Sequence, residues 1–177
     1  MSILTALVEP KIKKMEAQFG VPMDEARYVA RHSFGAFRAL GKTQDSANYR
    51  HVLPKEAYHV ARLVADQIED CGTCLQLVVN VALKDGVAPE LLQAVLDGEL
   101  GNLPLELVDV YHFTNRILNR EDDPDLRERL IARYGEEGFI ELALAFSAPR
   151  IYPTLKRALG FAVSCSRFHV SAAGAKA

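Results

Sequence analysis

The residues with the clearest chemical potential are two cysteines, Cys71 and Cys74, which lie where one helical pattern ends and the next begins. Positions three apart on a helix share a face, so both sulfurs point the same way and can form a disulfide without backbone movement. A helix N-terminus also offers unpaired N–H groups and the positive end of the helix dipole, which stabilise a thiolate. We therefore predict a redox-active thiol pair, on a face that Leu75, Val78 and Ala82 continue inward.

Thiol chemistry also needs a base or a cation near the sulfurs, because the thiolate is the nucleophile. His59, on the preceding helical segment, is the candidate base, and Glu56 one turn earlier is the candidate that orients it. The opposing interpretation is a solvated His59 that pairs with a surface carboxylate such as Asp66. The predicted catalytic set is therefore Cys71, Cys74, His59 and Glu56.

A structural zinc site is an alternative use of the same cysteines. Cys71 and Cys74 could join Cys165 and His169, which are four apart near the end of the chain, to supply three sulfurs and one nitrogen. Only the first two of these residues are local to one another, so the redox interpretation is preferred. We expect no stoichiometric zinc and no other bound metal or cofactor.

Composition describes a soluble globular chain. It has 177 residues, of which 49% are hydrophobic and 25% charged, with a formal net charge of −2. No basic cluster suggests nucleic acid as a partner, and no apolar stretch reaches the roughly 18 residues of a membrane-spanning helix. The first residues do not resemble a secretory leader, so the cytoplasm is the expected compartment, where a Cys-x-x-Cys is redox-active or metal-binding rather than a permanent crosslink.

Proline and glycine divide the chain into helical segments without convincing strand alternation. We predict an all-α, single-domain helical bundle of about seven to nine helices over residues 1–170, a polar loop at 41–53, and a disordered tail at 171–177. The predicted helices cover 10–19, 22–40, 54–70, 71–84, 89–96, 104–119, 124–134, 139–146 and 154–170.

The stretch 53–98 resembles the alkylhydroperoxidase D-like / carboxymuconolactone decarboxylase family. Its members have a helix, a Cys-x-x-Cys, an apolar helix and then a step that begins with Gly-Val, which here runs from Gly86 to Gly98. The resemblance implies an all-helical homo-oligomer that reduces a small-molecule peroxide or disulfide without haem or flavin. Electrons would come from a thiol protein or a small dithiol.

The chain departs from this family at its proton relay. In the thiol-dependent branch a Glu lies twelve residues before the first Cys and a His lies four after the second, whereas this chain has His59 and Val78 there. The resemblance implies that Cys74 attacks and Cys71 resolves the intermediate as a disulfide. Either His59 replaces the relay as the base, or the protein is a catalytically degenerate member that acts as a helical binding module.

Overall fold

Proline residues mark the start of several helices in the computed structural model, which describes residues 3–162. Within that range there are nine α-helices, two short 3₁₀ turns and no strands, so the predicted all-α fold is confirmed. The helices are α1 (Ile3–Phe19), α2 (Asp24–His32), α3 (Phe34–Ala47), α4 (Lys55–Ile68), α5 (Gly72–Lys84), α6 (Pro89–Asp97), α7 (Leu105–Leu118), α8 (Pro124–Ser147) and α9 (Ile151–Ala158), with the 3₁₀ turns at Leu100–Asn102 and Ala148–Arg150.

The helical segments predicted around the cysteines agree with α4 and α5, but the region before them differs. The predicted helix 22–40 is interrupted at Ser33, whose backbone is extended and whose hydroxyl accepts the N–H of Ala36. The first part of the predicted loop 41–53 is also wrong, because α3 continues through Gly41 to Ala47, whereas residues 48–53 are non-helical as predicted. The Ser33 cap starts a new helix, α3. A single interior glycine such as Gly41 lowers the stability of that helix too little to end it.

Helix ends near the termini also differ from the prediction. α1 begins before Pro10 and contains it, with Val8 and Ile12 buried on either side. The predicted helix 154–170 ends early, because α9 stops at Ala158 and Gly160 adopts a φ of +78°. Cys165, His169 and the predicted tail 171–177 lie outside the described residues.

The central element of the core is α4, which packs against α5, α6, α7 and α8. Every residue from 57 to 66 is buried, so this helix has no solvent-facing side along that length. Its apolar members join residues of the surrounding helices in one large cluster that includes Leu75, Leu92, Val110 and Leu142. None of the described helices has the length and apolar character needed to cross a membrane.

A second, smaller cluster joins α1 to α2 and contains Ile12, Met23 and Ala30. Arg27 of α2 bridges Glu9 and Glu16 of α1, at 3.1 Å and 2.6 Å. Hydrogen bonds from Arg27 and from the Met23 N–H lower the pKa of Glu16 to about 2. These two helices thereby form one wall of the cavity described below.

The loop before α4 is held by one buried carboxylate, Glu141 of α8. Its oxygens accept the N–H groups of His51, Val52 and Leu53 at 2.7–3.3 Å. Burial alone would raise the pKa of this carboxyl, but the three N–H groups outweigh that effect and lower it. Glu141 therefore fixes where α4 begins.

We expect Glu141→Gln to lower the free energy of unfolding by about 1–3 kcal/mol at neutral pH, because an amide offers one acceptor where the ionised carboxylate offers two. The folded-state pKa lies below the unfolded one. The contribution of Glu141 is therefore complete above the unfolded pKa of about 4.3 and is lost as pH falls through the folded pKa. Urea unfolding at several pH values measures this, with the exposed Glu137→Gln as the control. Equal stability of the two variants would contradict it.

Candidate functional site

The two cysteines lie at the start of α5, as the sequence predicts. Cys71 is the N-cap residue and is fully buried, and Cys74, in the first turn, is 7% exposed. Asp70 makes the tight connection from α4 with a φ of +47°, which returns the chain antiparallel to α4. Both sulfurs therefore face the core, and both thiols are free.

The two thiols act electrostatically as a unit. A hydrogen bond from the Cys74 thiol is the largest factor that lowers the pKa of Cys71, and burial opposes it. The same hydrogen bond, together with burial, raises the pKa of Cys74. The first negative charge of the pair is therefore stabilised by the proton that remains on the other thiol, and the two thiols titrate as a pair.

Lys156 of α9 is a cation near the thiols, of the kind that stabilises a thiolate. Its Nζ donates to the Thr73 hydroxyl at 2.9 Å and pairs with Glu25 of α2 at 3.2 Å. The Thr73 hydroxyl lies 3.7 Å from the sulfur of Cys71. Because Lys156 occupies a lone pair of that hydroxyl, the hydroxyl hydrogen is free to donate to the thiolate. Thr73 and Lys156 both lower the pKa of Cys71.

Asp66 is the titratable group that the structure brings to the thiols. It lies on α4 and is 4% exposed. Burial raises the pKa of its carboxyl to about 7, partly offset by Arg62, with a further rise from the charge of Cys71. Asp66 in turn raises the pKa of Cys74. A carboxyl that titrates near neutrality beside a thiol pair is suited to take up and release protons.

A cavity of about 640 Å³ adjoins this group. Cys74, Asp66 and Lys156 line it, whereas the fully buried Cys71 does not. Most of the remaining wall is apolar and comes from α1, α2, α3, α5 and α9. A small molecule entering the cavity therefore meets Cys74, with Cys71 behind it.

His59 does not join the cysteines. It is 1% exposed, and its Nε2 lies 3.1 Å from the carboxylate of Asp85, which follows the last residue of α5. Asp85 is eleven positions beyond Cys74, which is about 16 Å along a helix. Burial lowers the pKa of His59 to about 4, so the ring is neutral at pH 7. The solvated alternative is also corrected, since neither His59 nor Asp66 is at the surface.

Glu56 is partly exposed, and no hydrogen bond or ion pair with His59 occurs in the described structure. Asp85 instead orients His59, and Arg50 pairs with the same carboxylate at 2.9 Å. This arrangement fixes the far end of α5 against α4. The predicted base and its orienting group thus lie apart from the thiols.

Three contributors to the thiol environment were not identified from the sequence: Asp66 as a proton carrier, Lys156 as the cation, and Thr73 between cation and sulfur. The sequence could have predicted that Asp66 lies near the thiols, because it lies five residues before Cys71 across a tight connection between two helices. For Lys156 the sequence offers no such indication, since it reaches Thr73 from 83 positions away.

The zinc alternative depends on residues beyond position 162. Within residues 3–162, no group of three or more histidine, cysteine, aspartate or glutamate side chains is arranged to hold a metal ion. Cys165 and His169, which would complete the set with Cys71 and Cys74, are not among the described residues.

Comparison with protein-family models, with curated proteins and with solved structures finds no match to this chain. The resemblance of residues 53–98 to the alkylhydroperoxidase D-like family therefore remains a hypothesis that rests on the motif itself.

We expect Lys156→Met to raise the apparent pKa of the thiol pair, because it removes a cation that favours the thiolate of Cys71 and of Cys74. Thr73→Val should shift the pKa in the same direction without breaking an ion pair. Thiolate ultraviolet absorbance against pH measures both, and Lys14→Met, which removes an exposed charge from α1, is the control. A Lys156→Met titration that coincides with the control would refute the assignment.

Proposed function

We propose that this protein is a thiol-dependent oxidoreductase in which Cys71 and Cys74 reduce a peroxide or a disulfide. The observation that carries the proposal is a pair of free thiols at the start of α5, of which Cys74 lines a cavity and Cys71 has Thr73 and Lys156 nearby to lower its pKa. The resemblance to the alkylhydroperoxidase D-like family supports it independently of this geometry. His59 has a positioning role at the other end of α5 in this scheme through its contact with Asp85, and Glu56 has no role in it.

The reaction with a hydroperoxide begins at Cys74, because this sulfur faces the cavity. Cys74 transfers its proton to the Cys71 thiolate as its sulfur attacks the distal peroxide oxygen and the O–O bond breaks. The leaving alkoxide takes a proton from Asp66 and departs as an alcohol. Cys74 becomes a sulfenic acid, and Cys71 becomes a neutral thiol.

The second step closes the disulfide. Cys71 gives its proton to the Asp66 carboxylate and attacks the sulfur of Cys74, and the S–O bond breaks. The departing hydroxide recovers the proton from Asp66 and leaves as water. The pair has then lost two electrons, and a small dithiol or a thiol protein returns them by thiol–disulfide exchange.

A disulfide substrate follows the same order. Cys74 attacks one sulfur, and the other leaves as a thiolate that Asp66 protonates. Cys71 then resolves the mixed disulfide by attacking Cys74, which releases the second thiol. Both reactions require the same two cysteines and the same proton carrier.

The test is a peroxide- and disulfide-reduction assay with a dithiol donor on the unaltered protein, Cys71→Ser and Cys74→Ser. We expect Cys74→Ser to abolish turnover, and Cys71→Ser, which lacks the thiolate that accepts the Cys74 proton, to slow the first oxidation and to prevent disulfide closure. Mass mapping should find a Cys71–Cys74 disulfide while Cys165 stays free. Asp66→Asn should lower the rate about 10²-fold or more, since the amide carries no exchangeable acid proton.

Three outcomes would contradict the proposal. Turnover that survives both serine variants would place the chemistry elsewhere. An unaltered protein that reduces neither substrate class would favour the helical binding module, and a tightly held zinc equivalent whose removal unfolds the protein would favour the structural zinc site.

We further propose that the protein is a homo-oligomer. Leu105 of α7 and Ile140 of α8 are 80% and 56% exposed, and these two helices pack against each other. Exposed large apolar side chains on adjoining helices are suited to a subunit interface. We expect Leu105→Glu with Ile140→Glu to reduce association in sedimentation at micromolar concentration, and a monomeric unaltered protein would contradict the proposal.

A further inference from the structure

Arg62 is a buried cation whose charge is not neutralised by a neighbouring carboxylate. It lies on α4 and is 7% exposed. Its Nη1 donates to the Tyr58 hydroxyl at 2.8 Å, and its guanidinium lies 5.3 Å from the centre of the Tyr58 ring. Its Nε is buried and has no hydrogen-bond partner within the described structure.

No carboxylate of residues 3–162 forms an ion pair with Arg62, although every other buried charged side chain of α4 and α9 has its own compensation. Lys156 is paired with Glu25, and burial raises the pKa of Asp66 to about 7, so the Asp66 carboxyl is only partly ionised at pH 7 and forms no ion pair with Arg62 among the described residues. The remaining residues of the chain contain no aspartate or glutamate. A buried guanidinium without an anion carries a large desolvation penalty, which a bound anion would relieve.

Arg62 lines the 640 Å³ cavity, whose volume is typical of sites for small organic ligands. Apolar side chains form most of its wall, including Met23, Val29, Phe37 and Leu77. The cavity therefore combines a buried cation that has no ion pair with a largely apolar wall. Its other cations that form no ion pair within the described part of the chain, Lys11, Arg38 and Lys42, are exposed. A ligand that satisfies both features has an anionic group and an apolar body.

We propose that this cavity binds an apolar monocarboxylate, with the carboxylate on Arg62 and the hydrocarbon chain along the apolar wall. A single negative charge suits the position beside Arg62 better than a double one, because the partly ionised Asp66 lines the same cavity and would oppose a second charge. The two oxygens of a carboxylate match the fork geometry of guanidinium N–H donors. This binding goes beyond the proposed function and does not depend on turnover by the thiols.

The probes are decanoate, decanol and decyltrimethylammonium, which share a chain and differ in the head group. We expect calorimetry on the unaltered protein to detect decanoate binding at least tenfold tighter than decanol binding, and no tighter binding of the ammonium. Equal affinity for decanoate and decanol, or no decanoate binding, would overturn the proposal.

Arg62→Met should weaken decanoate binding by about 10- to 100-fold and leave decanol binding unchanged. Arg31→Met, an exposed arginine of α2 outside the cavity, is the matched control and should bind decanoate normally. Arg62→Lys keeps the charge and serves if the methionine variant does not fold; it should retain a preference for decanoate over decanol. Equal losses in Arg62→Met and Arg31→Met would refute the role of Arg62.

Protection of Cys74 from alkylation locates the ligand, because Cys74 lines this cavity and does not line the smaller adjoining one of about 390 Å³ around Arg50 and Lys84. Decanoate should slow the reaction of Cys74 with iodoacetamide, as followed by mass spectrometry. Binding without protection would place the ligand in the smaller cavity and refute the proposal. A Cys71→Ser/Cys74→Ser protein, which cannot turn over, should still bind decanoate.

Discussion

The rest of the structure depends on burying α4 on all sides although it carries charged and polar residues. Ten consecutive residues of this helix are buried, and His59, Arg62 and Asp66 are among them. Polar groups removed from water need partners, so each of these residues imposes a requirement on the helices around α4. The Asp85 carboxylate satisfies the Nε2 of His59, whereas its buried Nδ1 has no partner among the described residues, and the Tyr58 hydroxyl satisfies part of the guanidinium of Arg62. The raised pKa of Asp66 favours its protonated, uncharged form.

The tight hairpin between α4 and α5 decides which of these groups reaches the thiols. Because the two helices run antiparallel from Asp70, residues near the end of α4 lie beside the start of α5, and earlier residues lie beside its end. Asp66 therefore lies near Cys71, whereas His59 lies near Asp85. The same connection that brings a carboxyl to the cysteines separates them from the histidine that the sequence favours as a base.

The sequence was sufficient for the helical fold and the placement of the cysteines because both depend on local patterns. Pro54 and Pro124 mark helix starts correctly, and the three-residue spacing of Cys71 and Cys74 places them on one buried face. Ser33 shows the limit of such patterns, because a single capping hydroxyl divides a helix that hydropathy predicts as continuous. The role of Lys156 could not be predicted from the sequence, because its contact with Thr73 depends on how α9 packs against α5.

In the proposed reaction Cys74 attacks and Cys71 resolves, and these roles follow from how deeply each cysteine is buried and which of them lines the cavity. Cys71 is the more deeply buried residue, yet the hydrogen bonds from Cys74 and Thr73 and the charge of Lys156 favour its thiolate. Cys74 faces the cavity but has a raised pKa, so it needs a nearby proton acceptor before it can attack. In the proposed reaction the Cys71 thiolate is that acceptor, so a proton shift between the two thiols moves the negative charge from the sheltered sulfur to the accessible one. That step needs no histidine at position 78, and Asp66 serves the later proton transfers, from Cys71 and to the leaving groups.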